Sequence, residues 1–73
     1  MTTQEHHVFK VTTLVGTSGT GYDDAIKEAI ERAQQTLRNV QWFEVKQQRG
    51  RITQVGIEYQ VLLDVGFALE EPK

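Results

Sequence analysis

From residue 57 to residue 69 the chain alternates without a break. Ile57, Tyr59, Val61, Leu63, Val65, Phe67 and Leu69 are apolar, and Glu58, Gln60, Leu62, Asp64, Gly66 and Ala68 fall between them. Successive strand side chains point to opposite faces, so this pattern specifies one long strand whose odd-numbered face lies on a core. The rest of the fold has to supply what covers that face.

The covering element is legible upstream. Ile26, Ala29, Ile30, Ala33 and Leu37 recur at three- and four-residue spacing, while Lys27, Glu28, Glu31, Arg32, Gln34 and Gln35 fall elsewhere, which predicts a helix over 22–38 with one apolar stripe. Ser18 or Thr20 is expected to cap its start, and Asp23 and Asp24 sit where the helix dipole favours negative charge. Arg38 suits the negative end, and Asn39 tolerates the left-handed conformation found there. Before the helix, VFKVTTLV at 8–15 is dense in β-branched and apolar residues and reads as a first strand, followed by a GTSGTG loop at 16–21. A second strand is expected over 40–49, joined to the third by a turn region containing Gly50 and Gly56. The order is β-α-β-β, an α+β arrangement. A helical crossover makes the first two strands run the same way, so placing the third between them gives a fully antiparallel three-stranded sheet of order 1-3-2.

Such a chain is short for a self-sufficient core. At 73 residues it is a single domain, expected to be ordered over about 8–70 with short polar tails. A domain of this size buries only about 60% of the surface its unfolded form exposes. Small chains usually add a disulfide, a metal or an oligomer, and the absence of cysteine removes disulfides and thiolate zinc sites, leaving self-association as the expected device. Eight Lys and Arg against ten Asp and Glu are scattered along the chain, without the basic footprint of a nucleic-acid or anionic-membrane binder. No apolar run approaches the roughly 20 residues that span a bilayer, and MTTQEHH lacks a signal-peptide layout, so a cytoplasmic protein is expected.

The second strand carries the residue that stands out. If Phe43 and Val45 face the helix, alternation sends Trp42, Glu44, Lys46 and Gln48 to the opposite face. Gln60 lies on that same bare face of the third strand. An indole and a carboxamide suit a flat, electron-poor heterocycle edged with donors and acceptors, such as isoalloxazine. Taken on these residues alone, a tryptophan displayed on the outer face of a sheet in a small protein is more often an interface anchor than a ligand platform.

Four collinear segments separate these readings: VGTS at 15–18, TLRNVQWFEVKQQRG at 36–50, EYQV at 58–61 and VGFALEE at 65–71. Together they resemble the bacterial dodecins, from about residue 8 to residue 71. The resemblance implies a curved antiparallel sheet wrapped partly round the helix and a hollow homododecamer. It also implies FMN or riboflavin bound in pairs near two-fold axes, for storage or buffering. By position it implies Trp42 as the stacking residue, Gln60 as the hydrogen-bonding partner of the ring edge, and Arg49 near a flavin phosphate, which favours FMN. Some bacterial members are reported to hold coenzyme A as well, and no residue here is matched to that role. This chain departs from the pattern at Ala68, where bacterial members often carry arginine. It departs again in GTSGTG, where two glycines replace residues that are commonly acidic.

Other features have plainer explanations. His6 and His7 lie in a polar tail without carboxylate or thiol partners, so no metal is expected there. Arg49, Gly50 and Arg51 form one short basic turn rather than a nucleic-acid patch. Asp23 with Asp24, and Glu70 with Glu71, fit a helix start and a tail. Tyr22, Phe43, Tyr59 and Phe67 fit core or edge positions. No paired nucleophile and base, phosphate-cradling glycine motif or metal cluster appears, so no enzymatic activity is expected.

Overall fold

A computed structural model describes residues 8–69. Its elements are β1 (Phe9–Ser18), α1 (Tyr22–Thr36), β2 (Val40–Thr53) and β3 (Gly56–Ala68). β3 is central, paired antiparallel with β1 on one side and β2 on the other, so the sheet order is β1-β3-β2. His6, His7, Glu70 and Glu71 lie outside the described residues.

The alternation of β3 sets the layers. Val61, Leu63 and Val65 are completely buried beneath α1, together with Ala25, Ala29 and Ala33. The helix thus meets the sheet through the methyl groups of its three buried alanines. Ile26, Ile30 and Leu37 flank this seam and pack on it only in part. Gly16 of β1 marks the point of closest approach, since a Cβ there would collide with the carbonyl oxygen of Ala25 and come within 2.9 Å of the Ala29 methyl.

Several local expectations are corrected. β1 continues to Ser18 and leaves a loop of only three residues before α1, because Gly16, Thr17 and Ser18 pair with Val61, Gln60 and Tyr59. Neither Ser18 nor Thr20 caps the helix. Its N-cap is Gly21, without a side-chain bond. Ser18 Oγ instead accepts from the Thr20 amide at 2.9 Å and donates to Asp24 Oδ2 at 2.7 Å. The helix stops at Thr36, and Asn39 at φ 61° forms the bend into β2 rather than the helix cap. The hairpin is longer than expected: Gly50 lies within β2, and the turn is confined to Gln54 and Val55 between the paired Thr53 and Gly56. Gly56 adopts φ 143°, a conformation other residues rarely reach, and Thr53 Oγ1 donates to its carbonyl at 2.9 Å.

The tight seam at Gly16 makes a stability prediction. Gly16→Ala should destabilise the fold by about 1–3 kcal/mol through overpacking against α1. Gly19→Ala, with no atom within 4 Å of the added methyl, should stay within about 0.5 kcal/mol. Denaturant unfolding at one fixed protomer concentration compares them.

Candidate flavin site on the bare face of the sheet

The face of the sheet that α1 leaves uncovered is defined by register. Even-numbered residues of β3 point there, and so do their Cα partners: Phe9, Val11, Thr13, Val15 and Thr17 on β1, and Trp42 and Glu44 on β2. Trp42 sits opposite Gly66 and is 43% exposed. A side chain at Gly66 would run into the six-membered ring of the indole, so the glycine is the floor on which Trp42 lies. Phe9 meets the indole edge-on, with centroids 5.1 Å apart and planes inclined at 66°. One side of the indole thus rests on protein and much of the residue stays open.

Two irregularities in β2 decide what else shares this face. Gln41 and Lys46 have no Cα partner on β3, and each marks a β-bulge. An extra residue reverses the alternation beyond it. Val40, opposite Phe67, therefore lies on the core side, although strict alternation would put it with Trp42. Beyond Lys46 the expectation for Gln48 is overturned: it pairs with Val61 on the helix side, whereas Gln47 and Arg49 pair with Leu62 and Gln60 on the Trp42 side. Lys46 keeps its ammonium over the bare face, 3.9 Å from Glu44 and 4.0 Å from Asp64. Asp64 also accepts from Thr13 Oγ1 at 2.7 Å.

The bulge thereby brings Arg49 and Gln60 together. Arg49 Nε donates to Gln60 Oε1 and Arg49 Nη1 to Gln47 Oε1, both at 3.0 Å. Gln60 Nε2 donates to Glu58 Oε1 at 3.0 Å, and Arg51 Nε lies 3.2 Å from the same oxygen. Trp42 is elsewhere. It stands level with Gly66, six residues along β3 from Gln60, or roughly 20 Å at strand spacing. The three residues singled out in the sequence thus share one face but form two separate groups, an aromatic one at Trp42 and a polar one at Gln60. No single ring spans both within one protomer.

Each group keeps unused binding capacity. The indole offers an open aromatic plane, the Gln60 amide retains spare donor and acceptor capacity, and the Arg49 guanidinium has more donors than its two protein acceptors use. No local sequence signal marks Phe9 and Gly66 as neighbours of Trp42, or Glu58 as the partner of Gln60. A signal for the bulges was present: helix-side Val40, Phe43, Val45 and Ile52 change parity twice, which an unbroken strand cannot do. A broad open concavity of about 630 Å³, lined by Thr20, Tyr22, Asp23 and Lys27 among others, belongs to the start of α1 and not to the Trp42 face. Among the described residues no three His, Cys, Asp or Glu side chains cluster as metal ligands, and no helix is long and apolar enough to cross a membrane.

A small β-α-β-β protomer with a helix on one face of its sheet and an aromatic and polar display on the other defines a class, and comparison with known proteins identifies it. The profile of the family described as Dodecin matches residues 8–70, and the chain belongs to that family. It is 55% identical over 65 residues to the dodecin of Thermus thermophilus, covering 88% of this chain and 94% of that protein. The dodecin structure from Streptomyces davaonensis superposes with a TM-score of 0.87 at 47% identity, covering 92% of this chain and all of the other. That from Streptomyces coelicolor gives the same TM-score and identity over 94% of this chain and all of its own.

Contact between Trp42 and Gly66 is directly testable. Gly66→Ala should displace the indole and change the near-ultraviolet circular dichroism of Trp42, the chain's only tryptophan, while the far-ultraviolet spectrum is kept. An unaltered tryptophan band would contradict the contact.

Proposed function

We propose that this protein binds flavin for storage or buffering, with the ring stacked on Trp42, its edge hydrogen-bonded by Gln60 and the phosphate of FMN held by Arg49. The observation that carries the reading is the display of Trp42 on the bare face, braced by Gly66 and Phe9, with Arg49 turned by the bulge at Lys46 to the same face beside Gln60. Family membership supports it. Bound flavin supplies a flat, electron-poor ring whose emission an adjacent indole quenches by electron transfer. The protein's own residues orient that ring, hold its edge and exclude water from it.

Self-association belongs to this proposal. The roughly 20 Å between Trp42 and Gln60 means that the stacking plane and the ring-edge amide of one site come from different protomers. Phe9, Val11, Val15 and Trp42 are each between 43% and 52% exposed on the bare face, and exposed apolar side chains of this kind are what a partner subunit covers. At the hairpin end Ile52 and Val55 are 88% and 97% exposed, beyond the reach of the helix. A closed homododecamer buries both surfaces and encloses the ligand. Stacking contributes only about 0.5–1.5 kcal/mol beyond area burial, so enclosure by neighbours supplies the remaining affinity. A ring held between aromatic planes is closed to a second substrate, and the protein acts as a binding shell rather than an enzyme.

Fluorescence titration of FMN and riboflavin into the purified protein tests the proposal. Saturable quenching is expected, and unquenched emission without saturation would refute it. Trp42→Ala should abolish the quenching while the assembly, sized by gel filtration, persists. Dissociation on that substitution would mark Trp42 as an interface anchor instead. Arg49→Ala should weaken FMN by about tenfold more than it weakens riboflavin, through loss of a charge-assisted contact to the phosphate.

A further inference from the structure

Gln60 lies between two partners that each bond in one direction only. Arg49 Nε can only donate, so the Gln60 atom 3.0 Å from it is the amide oxygen. The Glu58 carboxylate accepts, so the Gln60 atom 3.0 Å from it is the amide nitrogen. Turning the amide over would set its NH2 against the guanidinium and its oxygen against the carboxylate, losing both bonds and opposing like with like. The orientation is therefore imposed by the neighbours. Each neighbour is itself tied down, Arg49 by Gln47 Oε1 at 3.0 Å and Glu58 by Arg51 Nε at 3.2 Å.

We infer that Glu58, acting through Gln60, is a positioning residue that sets which ring edge the site accepts, an inference that rests on the flavin reading above. One lone pair on the Gln60 oxygen and one N–H on its nitrogen remain for a ligand. They are offered in a fixed order, the acceptor on the Arg49 side and the donor on the Glu58 side. A matching ligand brings a ring N–H next to a ring carbonyl, as the pyrimidine edge of a flavin does. An amide that turned freely would also serve an edge bearing carbonyls alone, by presenting its NH2. The locked amide meets such an edge with its oxygen unpaired, which costs affinity.

The test compares lumiflavin with its N3-methyl derivative, in which the ring N–H is replaced, by fluorescence titration of the full chain as wild type, Glu58→Gln and Arg51→Gln. Wild type should prefer lumiflavin by about tenfold, the cost of one unmet hydrogen bond. Glu58→Gln removes one of the two constraints and leaves Arg49 alone to hold the amide oxygen, and should reduce the preference to about threefold while Trp42 still quenches bound ligand. Arg51→Gln removes the ion pair but keeps the carboxylate, and should retain the full preference. An unchanged preference in Glu58→Gln overturns the inference, as does its loss in Arg51→Gln alone. The side-chain amide resonances of Gln60 provide a readout independent of flavin. The proton bonded to Glu58 should lie downfield in wild type and move upfield in Glu58→Gln, and coincident spectra overturn the lock. Failure of wild type to bind either flavin refutes the proposed function and leaves that spectrum to decide the lock.

Discussion

Pairing between β2 and β3 is interrupted at Lys46, and the side-chain alternation of β2 reverses there. A β-bulge of this kind re-aims every residue beyond it, and in this protein it moves Arg49 from the helix side of the sheet to the side that bears Trp42. The polar ladder of Arg49, Gln60, Glu58 and Arg51 depends on that single extra residue. A strand with unbroken alternation would turn Arg49 toward the core face, away from Gln60. The bulge at Gln41 does the corresponding work at the other end, allowing Val40 to join the core while Trp42, two residues on, points outward.

These details sit on a small core. Three alanine methyls of α1 close on Val61, Leu63 and Val65, and Gly16 lets the helix approach β1. The seam is narrow, and the large apolar residues of the bare face and the hairpin end find no cover within the protomer. A domain of this size gains stability from association. Under the proposed function the same association supplies what one protomer lacks for flavin binding, because the aromatic and polar groups on its bare face stand too far apart to hold one ring. Stability and the proposed function thus lead to the same requirement for neighbouring copies.

The architecture was readable in the sequence to the extent that it follows from periodicity. The odd-numbered face of β3, the apolar stripe of α1 and the element order follow from the spacing of apolar residues, and the central position of β3 from a helical crossover followed by a hairpin. Trp42 was placed on the bare face correctly, because Phe43 and Val45 fix the parity of the short segment between the two bulges. Gln48 was misplaced, since alternation was carried through Lys46 without a break, although helix-side Ile52 stands seven residues from Val45, an odd interval. The helix cap was misread for a different reason: Ser18 bonds to Thr20 and Asp24 and is not available to the first amides of α1. The roles of Phe9, Gly66 and Glu58 depend on cross-strand register, which no local pattern specifies.

A crystal structure of the protein soaked with FMN tests whether one flavin is shared between two protomers. An isoalloxazine ring is expected on the exposed side of the Trp42 indole of one protomer, its edge against the Gln60 amide of another and its phosphate within reach of an Arg49. A ring bound apart from Trp42, or one contacting Trp42 and Gln60 of the same chain, would contradict it.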